Sequence, residues 1–191
     1  MDREMNMNAQ GQNHKYAPIS IALHWLTLIL MVAIYGSIEL HEAIPSGNPL
    51  RGTMEDWHIY LGFTVLVLAL VRLTINLRLA TPPITPRLPS WQMLINKGMK
   101  IYLYTLMLVA PLLGWLYLSA NDESIVWFFI QMPAIAPVSE AVAEFAEETH
   151  EVLGTSGYLF IAVHALAGLY HHYIVKDDTL KRMLPALLLR K

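Results

Sequence analysis

Four histidines lie inside or at the edge of long apolar segments of the chain: His24, His58, His150 and His164. An imidazole in a lipid bilayer is costly unless it has a partner, so a histidine in such a position indicates a functional site. His150 and His164 are fourteen residues apart. On one helix this interval places them only ~40° apart around the axis and ~21 Å apart along it. One helix would therefore carry two metal-ligating side chains on one face, near opposite sides of a hydrocarbon core about 30 Å thick.

The composition is that of a membrane protein. Apolar residues make up 55% of the 191 residues and charged residues only 15%. The formal net charge of −2 gives no reason to expect a nucleic acid partner. Cysteine is absent, which excludes disulfides, iron–sulfur clusters, thiolate-ligated haem and covalently attached haem. The polar, acid-containing start of the chain does not resemble a cleavable signal peptide.

Four segments are long and apolar enough to cross a membrane as helices. They run over about 19–40, 57–77, 99–118 and 157–175. The fourth span continues an acidic, amphipathic helix that is predicted to extend outward from about Ser139. The apolar stretch 125–135 is too short to cross, and we expect it to form an interfacial cap over the end of the bundle. The sequence predicts an all-α membrane protein with a single membrane domain, 1–191, built as a four-transmembrane-helix bundle.

Charge sets the orientation of this bundle. The segment 72–100 carries five bases and no acid, whereas 119–151 carries seven acids and no base. The tail from Lys176 adds five more bases, and only Arg51 falls in a loop on the acidic side. Because cytoplasmic loops carry an excess of Lys and Arg, we expect both termini and the stiff, proline-rich loop 82–89 to be cytoplasmic.

The orientation assigns a depth to each histidine and so pairs them. His58 and His150 begin their spans on the outer side, whereas His24 and His164 lie toward the inner side. Each pair would supply two axial nitrogens to one iron, so the sequence predicts two haems b stacked across the membrane. Four unrelated interfacial histidines are the alternative, but they would not be expected to fall into two depth-matched pairs. A zinc ion or a transported ion would need carboxylates at this depth, and only Glu39 comes close.

Glycines and one arginine support porphyrins as the ligands. Gly62, Gly154 and Gly168 each follow a proposed iron ligand by four residues, where a small residue leaves room for a flat ring. Ordinary close packing of helices is the alternative explanation for these glycines. Arg72 lies fourteen residues after His58, on the same face and ~21 Å deeper, where its guanidinium can bind a propionate of the inner haem. Snorkelling of this arginine to the interface is the alternative.

Longer runs of the chain resemble bacterial cytochrome b561. They are I-S-I-A-L-H-W, W-H-I-Y-L-G-F, T-H-E-V-L-G, A-V-H-A-L-A-G-L-Y-H-H-Y and K-D-D-T-L-K-R-M-L-P, and the likeness extends from about Tyr16 to Pro185. The resemblance implies a four-helix bundle in the bacterial inner membrane that holds two b-type haems by bis-histidine ligation. The iron ligands of that family correspond to the four histidines already identified from their spacing. It also implies electron exchange with a membrane quinone, ubiquinone or menaquinone, and one branch of the family oxidises superoxide on the periplasmic side.

A quinone needs protons as well as electrons, and His171 is our candidate for the proton donor. It lies seven residues past His164 and almost on the same face, just beyond the inner haem. Histidine is the residue type that titrates near neutral pH. A histidine cluster at the lipid headgroups is the alternative explanation. Since His171 could also compete for the inner iron, the assignment of His164 as ligand needs a test.

The outer surface bears on the identity of the electron donor. Its loops hold Arg51 and His41 against an excess of Asp and Glu, whereas an anion such as superoxide is steered by positive charge. We therefore expect a neutral or cationic donor, or quinol, to reduce the haems faster than superoxide does.

The sequence thus predicts a membrane oxidoreductase, a di-haem cytochrome that carries electrons from a small periplasmic-side donor, with superoxide among the candidates, to quinone in the lipid. The alternative is a haem-bearing membrane anchor for a separate redox partner protein that docks on the basic loop. A third class, an ion or metabolite carrier, would bind no haem.

Overall fold

The computed structural model describes residues 15–79 and 89–185, and this part of the chain is mostly helical. The four long helices are α1 (Pro18–Ala43), α2 (Pro49–Arg78), α3 (Ser90–Ala120) and α4 (Glu140–Tyr170). A five-residue π turn, His171–Val175, continues α4, and a short 3-10 turn, Lys181–Met183, follows it. The predicted proline-rich loop 82–89 lies, except for Pro89, outside the described residues.

Within the described residues, four helices are long and apolar enough to cross a membrane, α4 being counted together with its π turn. Large apolar side chains remain exposed on their outer surfaces, as with Ile29, Val32 and Leu159. A helix that is apolar on all sides is typical of a membrane span. The chain is therefore a multi-pass protein, as the sequence predicted.

The helices are longer than the apolar spans inside them. The α2 helix begins at Pro49, well before the predicted start near residue 57, because the Asn48 side chain accepts a hydrogen bond from the backbone N–H of Leu50 and a proline suits the first helical position. The α3 helix begins at Ser90, directly after Pro89. The α4 helix begins at Glu140, and the sequence analysis expected this start near Ser139. Hydropathy marks only the membrane-crossing part of each helix, so it did not reveal the polar extensions of α2 and α3, whereas the extension of α4 was predicted.

The apolar stretch between α3 and α4 forms a small hairpin, and the all-α prediction has to be corrected to a mostly helical fold. Strand β1 (Ile125–Trp127) pairs antiparallel with β2 (Ile130–Met132) through a turn in which Phe128 has a positive φ of 54°. Branched and aromatic residues favour strands, which explains this choice over a helix. The buried Ile125 packs with Phe63 of α2 and Leu118 of α3. The hairpin therefore covers one end of the bundle.

Contacts between the helices determine which histidines can meet. The α1 helix packs along α2, α3 packs along α4, and α2 contacts α3 across the bundle. The core between them includes Val65 and Ala69 of α2 and Met107 of α3. The α1 helix also reaches α4, because the Tyr35 hydroxyl donates a hydrogen bond to the Gly154 carbonyl at 2.8 Å. Residues on α1 and α2 can thus each face α4.

Candidate functional site

The first of two histidine pairs joins α2 to α4. The rings of His58 and His150 have their centres 6.0 Å apart, with 74° between their planes. The Nδ1 atom of His150 lies 2.8 Å from the Ala110 carbonyl oxygen, and that of His58 lies 3.4 Å from the Ile34 carbonyl oxygen. A carbonyl only accepts hydrogen bonds, so each Nδ1 carries the hydrogen and each Nε2 keeps its lone pair. Metal-ligating histidines usually have this arrangement, in which the second ring nitrogen donates to a carbonyl.

The second pair joins α1 to α4. The rings of His24 and His164 have their centres 6.2 Å apart, again with 74° between their planes. A guanidinium nitrogen of Arg72, Nη2, lies 2.9 Å from Nδ1 of His24. Since a guanidinium only donates, His24 accepts here through Nδ1 and its hydrogen lies on Nε2. Binding of a metal to a neutral His24 through Nε2 therefore requires Arg72 to release this ring.

Both pairs have the separation that one metal ion between two imidazoles needs. Two metal–nitrogen bonds of about 2.0 Å each, with the distance from each nitrogen to its ring centre, add up to about 6 Å. Among the described residues, no group of three or more His, Cys, Asp or Glu side chains could hold a metal ion. A haem bound at either pair would supply the remaining ligands of its iron from the porphyrin.

A large cavity accompanies the second pair. It has a volume of about 590 Å³ and is lined by His24, His164, Arg72, Lys97 and Lys100, among others. Cofactor-binding cavities have volumes of about 300–1,000 Å³. Three cationic side chains in one cavity suit a ligand with carboxylates, such as the two propionates of a haem. The residues around the second pair therefore fit a haem in space and in charge.

The three glycines singled out in the sequence have open space beside them. A Cβ atom added to Gly62, Gly154 or Gly168 would meet no neighbouring atom within 4 Å. The same holds for Gly36 and Gly98, which follow no proposed ligand. Open space alone does not distinguish room for a porphyrin from a lipid-facing surface, so the role of these glycines stays a prediction.

Two other glycines lie close to residues of the site, and the sequence did not predict their roles. A Cβ on Gly114 of α3 would lie 3.5 Å from the His150 ring, in ordinary contact, so this residue borders the first pair. A Cβ on Gly157 of α4 would lie only 2.0 Å from the Tyr35 hydroxyl oxygen. Gly157 therefore leaves room for the Tyr35 side chain, which joins α1 to α4. Its role depends on where a tyrosine of another helix lies, which spacing along the chain does not reveal.

His171 lies in the π turn that follows α4, and it does not line the cavity of the second pair. Its Nδ1 atom is 2.5 Å from Oδ2 of Asp177, whose side chain is fully buried. The other carboxylate oxygen accepts a hydrogen bond from the Thr179 backbone N–H at 2.9 Å. Burial alone would raise the pKa of the Asp177 carboxyl, but the hydrogen bonds from Thr179 and His171 outweigh it and lower this pKa below its usual value. The contact of Asp177 with His171 was not predicted from the sequence.

The segment 176–185 folds back against the start of α1. The indole N–H of Trp25 donates to the Met183 carbonyl at 2.8 Å, and the Arg182 guanidinium lies 5.2 Å from the centre of the Tyr16 ring. Tyr16 and Met183 also line the cavity of the second pair. The K-D-D-T-L-K-R-M-L-P run therefore closes the bundle beside His24, and a hydropathy pattern gives no sign of this contact.

Arg51, at the other end of the bundle, is held in place by its neighbours. Its Nη1 donates to the carbonyl oxygens of His41 at 2.8 Å and Ile44 at 3.0 Å, at the end of α1. Its Nη2 lies 3.4 Å from a carboxylate oxygen of Glu42. The guanidinium therefore serves chiefly to cap α1, and a neighbouring acid offsets its charge.

Comparisons with known proteins agree with this arrangement. The family model described as prokaryotic cytochrome b561 matches residues 15–186 of the chain. The chain is 38% identical to cytochrome b561 homolog 1 of Escherichia coli K12, over 90% of this chain and 98% of that protein. It is 35% identical to the probable superoxide oxidase CybB of Yersinia pestis, over 90% of this chain and 96% of that protein. Cytochrome b562 of Cereibacter sphaeroides is 28% identical, over 91% of this chain and 97% of that protein.

Proposed function

The chain belongs to the prokaryotic cytochrome b561 family, and from this premise we propose that it is a di-haem cytochrome that passes electrons across the bacterial inner membrane to quinone. Membership of the family makes it a multi-pass bacterial membrane protein of electron transport that uses haem b. The two haems, the donor and the quinone are the proposal. The observation that carries it is the presence of two histidine pairs, with ring centres 6.0 and 6.2 Å apart, that share one helix.

We assign each pair to one haem. His58 and His150 would hold the outer haem, and His24 and His164 the inner one. When bound, the haems supply one-electron carriers at two depths, ~21 Å apart along α4. With both histidines of a pair bound, each iron would have no open position for oxygen chemistry. The role of the protein would be to hold the imidazoles in position and to exclude water from them.

Hydrogen bonds and charges of the chain orient these groups. The Ala110 and Ile34 carbonyls hold the imidazoles of His150 and His58 by Nδ1, which leaves the lone pair of each Nε2 free to bind a metal. At the inner pair, Arg72, Lys97 and Lys100 line the cavity and would bind the propionates. Release of His24 by Arg72, when this arginine turns to a propionate, would free the ring to coordinate through Nε2.

The electron acceptor in this proposal is a membrane quinone that receives protons near His171. Reduction of one quinone to quinol consumes two electrons and two protons. His171 follows the inner pair along α4, and its ring can pass protons between water and a quinone oxygen. Replacing His171 with Ala should leave both haem spectra intact and slow haem oxidation by a soluble ubiquinone analogue about tenfold or more. His41→Ala, at the other end of the bundle, is the matched control. An unchanged rate in His171→Ala would contradict this site and point instead to the hairpin end.

The donor we favour is neutral or cationic. One relative is named a probable superoxide oxidase, and two superoxide ions would supply the two electrons and leave as dioxygen. In this chain, however, Arg51 is held by α1 and Glu42. Stopped-flow reduction by a superoxide source at varied salt tests the choice. We expect a slow reaction with little salt dependence, whereas a near diffusion-limited rate that falls steeply with salt would establish superoxide as a steered substrate.

A further inference from the structure

The turn after α4 holds a buried carboxylate against a histidine at the end of a transmembrane helix. Asp177 has a fully buried side chain, and its Oδ2 lies 2.5 Å from Nδ1 of His171. A backbone hydrogen bond also joins Asp177 to His171, because the Asp177 N–H donates to the His171 carbonyl oxygen at 3.2 Å. The left-handed backbone of Lys176, with φ of 59°, turns the chain so that this contact forms. The His171 imidazole is therefore held in position through its Nδ1 atom.

A carboxylate bound to Nδ1 has two physical effects on an imidazole. It holds the ring in one orientation and tautomer, with the hydrogen on Nδ1, and it stabilises the protonated ring. The same logic operates where a buried Asp orients a catalytic histidine. Only Nε2 of His171 is then left to exchange a proton with another molecule.

Other charged and titratable groups surround this pair. The Tyr170 ring contacts the His171 ring with centres 5.9 Å apart. His172 and Lys176 belong to the same turn. Asp178 lies 4.0 Å from a guanidinium nitrogen of Arg182, which is itself buried. Two neighbouring carboxylates in the K-D-D-T run therefore have different partners, His171 for the first and Arg182 for the second.

We propose that Asp177 is the positioning residue of quinone reduction, holding His171 so that its Nε2 delivers protons to a quinone oxygen. Each quinone takes two protons through Nε2 and two electrons from the haems, and water on the cytoplasmic side reprotonates the ring after each transfer. Asp177 stays ionised throughout and makes no contact with the quinone. This inference rests on the proposed quinone site at His171.

The test compares four variants of the full-length, haem-loaded protein, with decylubiquinone as the probe. They are Asp177→Asn, Asp177→Glu, Asp178→Asn and His171→Ala. Asp178→Asn is the matched control, because it removes the neighbouring carboxylate and leaves the His171 contact in place. The readouts are the haem spectra and the separate kcat and KM values for decylubiquinone.

We expect Asp177→Asn to keep both haem spectra and to lose about tenfold in kcat with little change in KM, because the ring loses its orientation. Asp177→Glu should recover part of kcat, and Asp178→Asn should match the wild type.

Three results would overturn the proposal. If His171→Ala slows the reaction but Asp177→Asn leaves kcat unchanged, the quinone site is supported and Asp177 has no positioning role. If Asp177→Asn loses haem, or if the two Asn variants lose equal activity, Asp177 is a structural residue of the turn. If His171→Ala itself has no effect, the quinone site falls, and this inference falls with it.

Discussion

The two histidine pairs have nearly the same ring separation but different surroundings. Backbone carbonyls hold the Nδ1 atoms of His58 and His150. At the other pair a guanidinium side chain holds Nδ1 of His24, and a cavity of about 590 Å³ with two lysines lies beside it. A backbone carbonyl keeps its position when a cofactor enters, whereas an arginine side chain can turn. His58 and His150, which we propose as the outer pair, therefore fit a fixed site. His24 and His164, which we propose as the inner pair, fit a site that rearranges around its ligand.

The charges around the pairs also predict the direction of electron flow. A haem loses one positive charge on reduction, so nearby cations favour the reduced form and raise the potential. Three cationic side chains line the inner cavity, whereas the neighbours of the outer imidazoles are neutral carbonyls. We therefore predict a higher reduction potential for the inner haem than for the outer one. This difference would make electron transfer from the outer to the inner side favourable.

Removal of single histidines should have the largest effect. His58→Ala should lose the outer haem and keep the inner one, because each iron depends on its own pair. His164→Ala should do the reverse, and His41→Ala should keep both. Pyridine haemochrome assays and difference spectra measure the outcome. If His164→Ala retains both haems while His171→Ala loses one, His171 is the inner ligand and the pairing is wrong.

A substitution between the pairs should disturb the inner one more than the outer one. In Gly157→Ala the new Cβ would lie 2.0 Å from the Tyr35 hydroxyl oxygen, so the Tyr35 side chain must shift and its hydrogen bond from α1 to the Gly154 carbonyl of α4 is disturbed. Overpacking of this kind costs about 1–3 kcal/mol. Since the inner pair joins α1 to α4 and the outer pair joins α2 to α4, inner haem content should fall first on heating. Gly36→Ala, where a Cβ meets nothing within 4 Å, is the control. Equal loss of both haems would show that the pairs are not independent.

Arg72 provides a test of the electrostatic difference. Arg72→Gln removes a cation from the inner cavity and should lower the inner haem potential by about 30–60 mV, on the scale of about 59 mV per tenfold change for one electron. The outer potential should stay unchanged. Arg78→Gln, an exposed position further along α2, is the matched control. A redox titration that shows equal shifts at both haems, or no shift, would remove the basis for the predicted direction of flow.

The smallest effect concerns pH at the inner end. The pKa of Asp177 is lowered in the folded protein, so this carboxylate adds stability above its unfolded value of about 4 and loses that contribution as pH falls through the folded pKa. Asp177→Asn should be less stable than the wild type at pH 7 by about 1 kcal/mol, and this difference should shrink as pH falls through the lowered folded pKa of Asp177. Thermal unfolding in detergent at several pH values measures this. A difference in stability that does not shrink in acid would mean that the ionised carboxylate is not the source.

The part of the fold that follows from helical period and depth could be predicted from the sequence. Positions 150 and 164 share a helix face because of their spacing, and charge bias matched them in depth with His58 and His24. Helix ends such as Pro49 were missed because caps and prolines, not hydropathy, set them. The hairpin was missed because a short apolar run fits a strand or a helix equally well. Asp177 was missed because a π turn brings it to His171, which no regular period predicts.

The proposal that two independent histidine pairs each hold one haem is tested by counting the haems per chain and titrating their reduction potentials. Purified protein should yield two acid-acetone-extractable b haems per chain, which titrate as two separate one-electron components, the higher of them lost in His164→Ala and the lower in His58→Ala. A stoichiometry near one, or none, or two haems that both disappear with either histidine, would contradict the account of two independent histidine pairs across the membrane.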